Sequence, residues 1–258
     1  MLHKDRSTYA IQAVENALCL LESISQEPGE FGISHLSAKL GMDRSYIFRL
    51  LATFELRGYV QHFEGSGRYR AGLSAYETGG RFLHQMELLQ KAKPIMERLA
   101  KETGETVYLV IPGGNDVLLL EMVDSPQQVR VIPLVGRRFP LQQFSAGEVI
   151  LAFRSPAEKR SSRLKTVRSE GVSVDQDQLM EGLGSLSVPL FTGNGEVIGS
   201  LCVVVPSFRL NQETLDQELI PRLKVAGQSI SARLGFNSYP MGKLPRREAR
   251  PEISFARG

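Results

Sequence analysis

Six side chains between residues 44 and 70 carry the chemistry most easily read from this sequence: Arg44, Ser45, Tyr46 and Arg49, then Arg68 and Arg70. The first four fall on one face of a helix. There a guanidinium can pair with a guanine edge and hydroxyls can reach bases or phosphates. Arg68 and Arg70 stand just past a glycine-rich tip, where phosphate or minor-groove contact suits them. Catalytic chemistry is harder to find. The four histidines are His3, His35, His62 and His84, so the larger C-terminal part lacks the commonest general base. No histidine or cysteine spacing suits a metal, and no cofactor, metal site or enzyme activity is expected.

The elements that must position those arginines follow from the residues around them. Ser34 reads as the N-cap of a short helix with Leu36 and Leu40 on one face, and Gly41 is placed to end it in a left-handed conformation. Asp43 can cap the next helix, whose buried stripe is Ile47, Leu50, Leu51 and Phe54. Upstream, Ile11, Val14, Leu18 and Leu21 line one side of a helix from Ala10 to about Ser25 and complete a three-helix core. After Gly58, YVQHF turns at EGSG and returns as RYRA, a hairpin tip with Gly65 and Gly67. Helix, turn, helix and hairpin in that order predict a winged helix-turn-helix over residues 8–72.

Net charge adds nothing to this reading. The 258-residue chain has a formal charge of +3, and that whole excess sits in residues 237–258, with five Lys/Arg against two Asp/Glu. The first 72 residues balance at eight of each sign. The useful signal is local: residues 43–70 hold five arginines against three acids. No apolar run is long enough for a bilayer and no leader is evident. Cys19 and Cys202 offer no disulfide framework, which suits a cytoplasmic location.

Behind the first domain, residues 73–92 read as a linker helix with Gly79 and Gly80 as a bend, and Pro94 suits the first turn of another helix ending at Gly104. TVYLVI, VLLLEMV, QVRVIP, SLSVPLF and EVIGSLCVVV read as strands, with PGGND and GNG as turns. Helices are expected over about Ser145 to Phe153, Pro156 to Arg168, and Gln212 to Leu234, the last kinked at Pro221. Residues 93–236 therefore predict an α+β sensor-like domain. Residues 237–258 predict a disordered basic tail.

Eight segments in order resemble the isocitrate-lyase-regulator (IclR) family of bacterial transcription factors. Among them are AVENALCLLESI, GMDRSYIFRLL, GYV with GRYRAG, AKPIMERLAKETGETVYL, FSAGEVILA and GEVIGSLCVVVPSFRL. The resemblance covers about Ile11 to Phe236. It implies a winged helix-turn-helix joined by a helix to a GAF-like effector domain, with Arg44, Ser45, Tyr46 and Arg49 on the recognition helix. It also implies near-palindromic duplex operators, homodimers or homotetramers, catabolic target genes, and a small organic or aromatic acid as effector. Repression and activation are equally open.

By the same resemblance, the effector pocket is lined by the helix start Ser145, Ala146 and Gly147 and by Asp175, Ser185 and Cys202. Free N–H groups at a helix start attract a carboxylate, and hydroxyl or thiol groups can orient it. Structural readings stand beside these. Asp175 can cap a helix after it, Ser185 can satisfy a backbone group, and Cys202 fits a small core position. Three departures from the family pattern bear on function. Tyr46 replaces a small hydroxyl residue, Glu148 replaces a lysine beside the pocket, and the segment from Ala152 to Arg168 is short, so the pocket is expected to be open, reshaped or lost. The alternative function is a DNA-binding regulator whose second domain serves only for oligomerisation.

Overall fold

A computed structural model describes residues 9–156 and 161–240, and they form two compact units that divide between Gln85 and Met86. The first unit holds α1 (Gln12–Ser25), α2 (Ile33–Leu40), α3 (Arg44–Leu56), β1 (Val60–Phe63), β2 (Arg68–Ala71) and α4 (Leu73–Gln85). Its core is Leu20, Ile24, Phe31, Leu36, Ile47, Leu51, Val60 and Tyr69, with Leu50 and Phe54 packed at the edge. Gly41 ends α2 with φ 65°, a conformation that costs glycine no Cβ clash. Asp43 stands at the N-cap of α3 without a side-chain bond. Gly32, not Ser34, precedes α2, which begins two residues earlier than an N-cap at Ser34 implies.

The wing is as expected, an antiparallel pair in which Phe63 opposes Arg68 and Gly67 takes φ 64°. The expected inner face of α1 is not. Ile11, Val14 and Leu18 are exposed at 67, 53 and 54%, while Leu20, Ser23 and Ile24 face the core. Two apolar stripes share this helix, and only the packing against α2 and β2 decides between them.

The second unit begins with α5 (Glu87–Thr103), which incorporates Pro94 in its interior; the break between helices falls at Met86, and α4 runs through Gly79 and Gly80. Then follow β3 (Thr106–Gly113), β4 (Asp116–Val123), β5 (Arg138–Pro140), α6 (Ser145–Arg154), α7 (Ser162–Glu170), β6 (Ser173–Gln176), β7 (Leu183–Phe191) and β8 (Val197–Pro206). They build one antiparallel sheet in the order β5-β4-β3-β8-β7-β6. QVRVIP is not a strand: Arg209 donates to Val129 O, and the Tyr108 hydroxyl bonds Ile132 O and Leu134 N, so side chains meet backbone groups there. The short edge strands β5 and β6 replace it.

After β8, a short helix α8 (Gln212–Thr214) and a π-turn (Leu215–Leu219) lead into α9 (Ile220–Arg233). The expected kink at Pro221 is realised as that π-turn, which lets proline enter at the start of a helix, where its missing N–H is not needed. Strand alternation sorts the sheet into two faces. Leu201, Val203 and Val205 of β8 pack with Leu186, Val188 and Leu190 of β7 under α5 and α9. Cys202 and Val204 face the other way, toward α6, with Tyr108 and Val110. α7 joins α6 through Leu164 and Val167 against Val149, Ala152 and Phe153.

The segment after α9 is partly anchored, contrary to a wholly free tail from residue 237. Tyr239 is buried, donates to Pro189 O at 2.8 Å and packs edge-on to Phe191, which also stacks with Phe236. Residues 241–258 of the expected tail lie outside the described residues. Among the described residues, no helix is long and apolar enough to cross a membrane, and no cluster of His, Cys, Asp or Glu could hold a metal.

Candidate functional site

Two surfaces bear the residues singled out from the sequence. On the first unit, Ile47 and Leu51 of α3 are fully buried, which turns Arg44, Ser45 and Arg49 outward. The side chains of Arg44 and Arg49 have no hydrogen-bond or ion-pair partner among the described residues, so both guanidinium groups stand ready for an external acceptor. Tyr46 is different. It is half-buried, and its hydroxyl accepts from Asn16 Nδ2 of α1 at 3.3 Å, so it helps fix α3 on α1. Phe48 belongs with the outward set. It is 53% exposed, one turn beyond Arg44 and Ser45, and an apolar ring there suits a thymine methyl. Its spacing was the signal that could have found it.

At the wing, Arg68 and Arg70 are both exposed but partly held. Arg68 Nη2 donates to Glu30 O at 2.9 Å. Arg70 donates twice to Gln61 Oε1, its cross-strand partner, and lies 4.9 Å from the Phe63 ring centroid. Arg68 is thus held by the segment before α2 and Arg70 by the hairpin itself, while both cations stay exposed.

In the second unit, the sheet face under α6 carries a patch of small polar side chains from three adjacent strands. Each strand contributes at i and i+2: Ser173 and Asp175 from β6, Ser185 and Ser187 from β7, Ser200 and Cys202 from β8. Register places Asp175 opposite Ser185, Ser173 opposite Ser187, and Ser187 opposite Cys202. The expected Ser145, Ala146, Gly147, Asp175, Ser185 and Cys202 are thus brought together, all buried. Ser173, Ser187 and Ser200 were missed, although the repeated S-x-D, S-x-S and S-x-C spacing is visible in the sequence.

The geometry centres on Asp175. Its Oδ2 accepts from the Ser145 backbone N–H at 2.6 Å and from Ser185 Oγ at 2.5 Å. Ser145 Oγ bonds Ser185 Oγ at 2.5 Å and Ser187 Oγ at 2.8 Å. Ser200 Oγ donates to Ala146 O at 3.2 Å. Asp175 caps a helix after all, but that helix is α6, thirty residues earlier, and the Ser145 N–H is not free as expected. Asp175 Oδ1 is buried without a hydrogen-bond partner among the described residues.

Burial pushes the Asp175 carboxyl above the usual carboxylate range; its hydrogen bonds to Ser185 and Ser145 pull the other way, and the Glu148 charge adds to the rise. The Cys202 thiol, enclosed completely, is pushed up to about 12 by burial and stays neutral. It is a small group of the patch and no nucleophile.

Gly147 lets α6 pack closely against the turn that follows β5, since a Cβ there would run into the carbonyl of Leu141. Beside it, Glu148 Oε2 accepts from Ser173 Oγ at 2.6 Å and from Arg163 Nη2 at 3.0 Å. Arg163 of α7 also donates to Val174 O at 2.7 Å. The short segment after Ala152 therefore does not leave the patch open: α7 lies against α6 and reaches β6 through Arg163, and Asp175 is only 5% exposed.

Comparison with known proteins agrees with both units. The IclR helix-turn-helix domain matches residues 13–62, and the C-terminal domain of the bacterial transcriptional regulator IclR matches residues 80–163 and 157–232. The HTH-type transcriptional regulator KdgR of Escherichia coli K12 is 30% identical, with 92% of this chain and 97% of that protein covered. Among solved structures, an IclR-type regulator from Alicyclobacillus acidocaldarius superposes with a TM-score of 0.77 at 22% identity, covering 88% of this chain and all of that one. An IclR homologue from Microbacterium hydrocarbonoxydans in complex with 4-hydroxybenzoate gives 0.72 at 21% identity, covering 86 and 98%. A helix-turn-helix domain followed by an α+β domain with an antiparallel sheet is the fold those relatives share, and this chain belongs to the IclR family of DNA-binding transcriptional regulators, not to the enzymes.

Proposed function

We propose that this protein is a sequence-specific regulator of catabolic genes that binds near-palindromic operators and answers to a small organic or aromatic acid. The observation that carries DNA reading is the outward face of α3, where Arg44 and Arg49 lack any partner among the described residues while the opposite face is fully packed. Arg44, Ser45, Phe48 and Arg49 contact base edges, Tyr46 orients the helix, and Arg68 and Arg70 hold phosphates or the minor groove.

Assembly as a homodimer or homotetramer is supported by the apolar stripe Ile11, Val14 and Leu18 on α1. Leu73 and Tyr76 on α4 are likewise exposed. These residues remain in water in a single chain, and a two-fold pair would match the symmetry of a palindromic operator. DNase footprinting of the protein's own upstream region at low salt is the test. Protection of two half-sites, weakened by Arg49→Ala, is expected; an unprotected region would defeat the reading.

The effector site is the patch around Asp175, and the one carboxylate oxygen left without a partner among these buried polar groups supports a ligand role. Binding of 4-hydroxybenzoate by a structural neighbour is consistent with a small acid as ligand. The second reading, a domain kept only for oligomerisation, draws on the complete burial of the same patch. A thermal-shift screen with carboxylic and aromatic acids separates them, because only a ligand site gives an Asp175-dependent rise in melting temperature.

A further inference from the structure

Tyr46 differs from its neighbours on α3 in where its polar atom goes. At about 100° per residue, the outward face of α3 runs from Arg44 through Phe48 and Ser45 to Arg49. Tyr46 falls next, on the margin toward the half-buried Leu50. From that margin the side chain reaches α1. Its hydroxyl accepts from Asn16 Nδ2 at 3.3 Å, and Asn16 Oδ1 in turn accepts from Gln12 Nε2 at 3.0 Å. Gln12 thus settles which end of the Asn16 amide faces Tyr46. Gln12 and Asn16 stand one turn apart on α1, on a face separate from the exposed stripe of Ile11, Val14 and Leu18.

The three groups form a directed chain. Each N–H donates one step closer to Tyr46, and the chain ends on a donor, since the Tyr46 O–H has no acceptor among the described residues. A tyrosine hydroxyl both accepts and donates. With its acceptor side taken by Asn16, the proton is left for an external group, and the bonds behind it polarise that last donor. Beyond the margin of a helix seated in a major groove lies the sugar–phosphate backbone, not the base edges. The acceptor there is an anionic oxygen, and hydrogen bonds to such oxygens are the stronger kind.

We infer that the Tyr46 hydroxyl donates to a DNA phosphate, with Asn16 and Gln12 of α1 as positioning residues that aim it. This rests on the reading of α3 as the recognition helix given above and adds α1 to the elements that seat it. The contact is neutral on the protein side, so it fixes the register of α3 without reading a base and without releasing a counterion. In that it differs from Arg44 and Arg49 and from the cations of the wing.

The test uses the full-length chain and the DNA of its own upstream region. Binding is measured by fluorescence anisotropy over about 50 to 200 mM salt and against single-base variants of the protected site. Tyr46→Phe keeps the ring and removes only the hydroxyl. It should weaken binding about tenfold to every variant alike, with the slope of affinity against salt unchanged. Asn16→Ala should weaken binding in the same uniform way, and the double variant should bind no worse than Tyr46→Phe alone, because Asn16 acts through the hydroxyl. A loss confined to one base position would make Tyr46 a base reader, and a loss under about twofold would remove the contact. Either result overturns the inference and leaves α3 as the reading helix. No loss at Asn16→Ala, or additive losses in the double variant, would overturn the part given to α1. If the unsubstituted chain fails to bind its upstream region, the regulator reading falls and the inference with it.

Discussion

Asp175 and the arginines of α3 illustrate opposite fates for a charged side chain. Asp175 is enclosed with one oxygen satisfied, and burial holds its pKa above the ordinary value. Below the unfolded-state pKa both folded and unfolded chains carry the proton; as pH rises through the raised folded value, the unfolded chain gives up its proton more readily and stability is lost. Asp175→Asn should therefore gain stability relative to the parent as pH rises above the ordinary carboxylate range, measured by urea denaturation at each pH. A difference that does not change with pH would count against the burial argument. Arg49 is exposed, and its proposed role is to meet the operator. Arg49→Ala should weaken operator binding by about 1–3 kcal/mol. Phe48→Ala should cost less in affinity but relax preference at one A·T position, read by competition binding with single-base operator variants.

At the scale of elements, two close fits hold the second unit in register. α6 packs on the turn that follows β5 only because residue 147 is glycine. Gly147→Ala forces a methyl group into the Leu141 carbonyl and should cost about 1–3 kcal/mol. A thermal melt unchanged by that substitution would show that the turn carrying Leu141 yields freely to α6. The second fit is the paired bond of Arg209 with Glu105, both distances 2.8 Å, which ties the turn after β8 to the start of β3. Removing the cation leaves the Glu105 carboxylate buried and unpaired, so Arg209→Ala should lower stability by about 2–4 kcal/mol by chemical denaturation. Arg163 is a looser tie, half in solvent, and its loss should be felt in ligand exchange more than in stability.

For the whole molecule, the exposed stripe on α1 predicts association. Val14→Asp together with Leu18→Asp places charges in that face without touching the core, so the folded unit should survive while the assembled species shrinks in analytical ultracentrifugation. Operator affinity should fall with it, since two linked half-sites bind more tightly than one. An unaltered sedimentation profile would remove α1 from the interface. Binding should also weaken steeply with salt, as the proposed phosphate contacts of the wing require.

Much of this was written locally in the chain. The order helix, Gly41, helix, hairpin specifies the winged helix-turn-helix, because caps, a left-handed glycine and helical periodicity are short-range devices. The patch was legible too, once the i, i+2 pairs of β6, β7 and β8 are read together, since alternation puts each pair on one face. Sequence could not choose between the two apolar stripes of α1, because either satisfies the same period. Nor could it say that Asp175 would cap a helix thirty residues before it, or that QVRVIP would give its backbone to Tyr108 and Arg209 in place of a strand partner. Those outcomes depend on which surfaces meet. Local pattern set the elements and their polarity; only tertiary packing decided which face of α1 met the core and which oxygen of Asp175 was left without a donor.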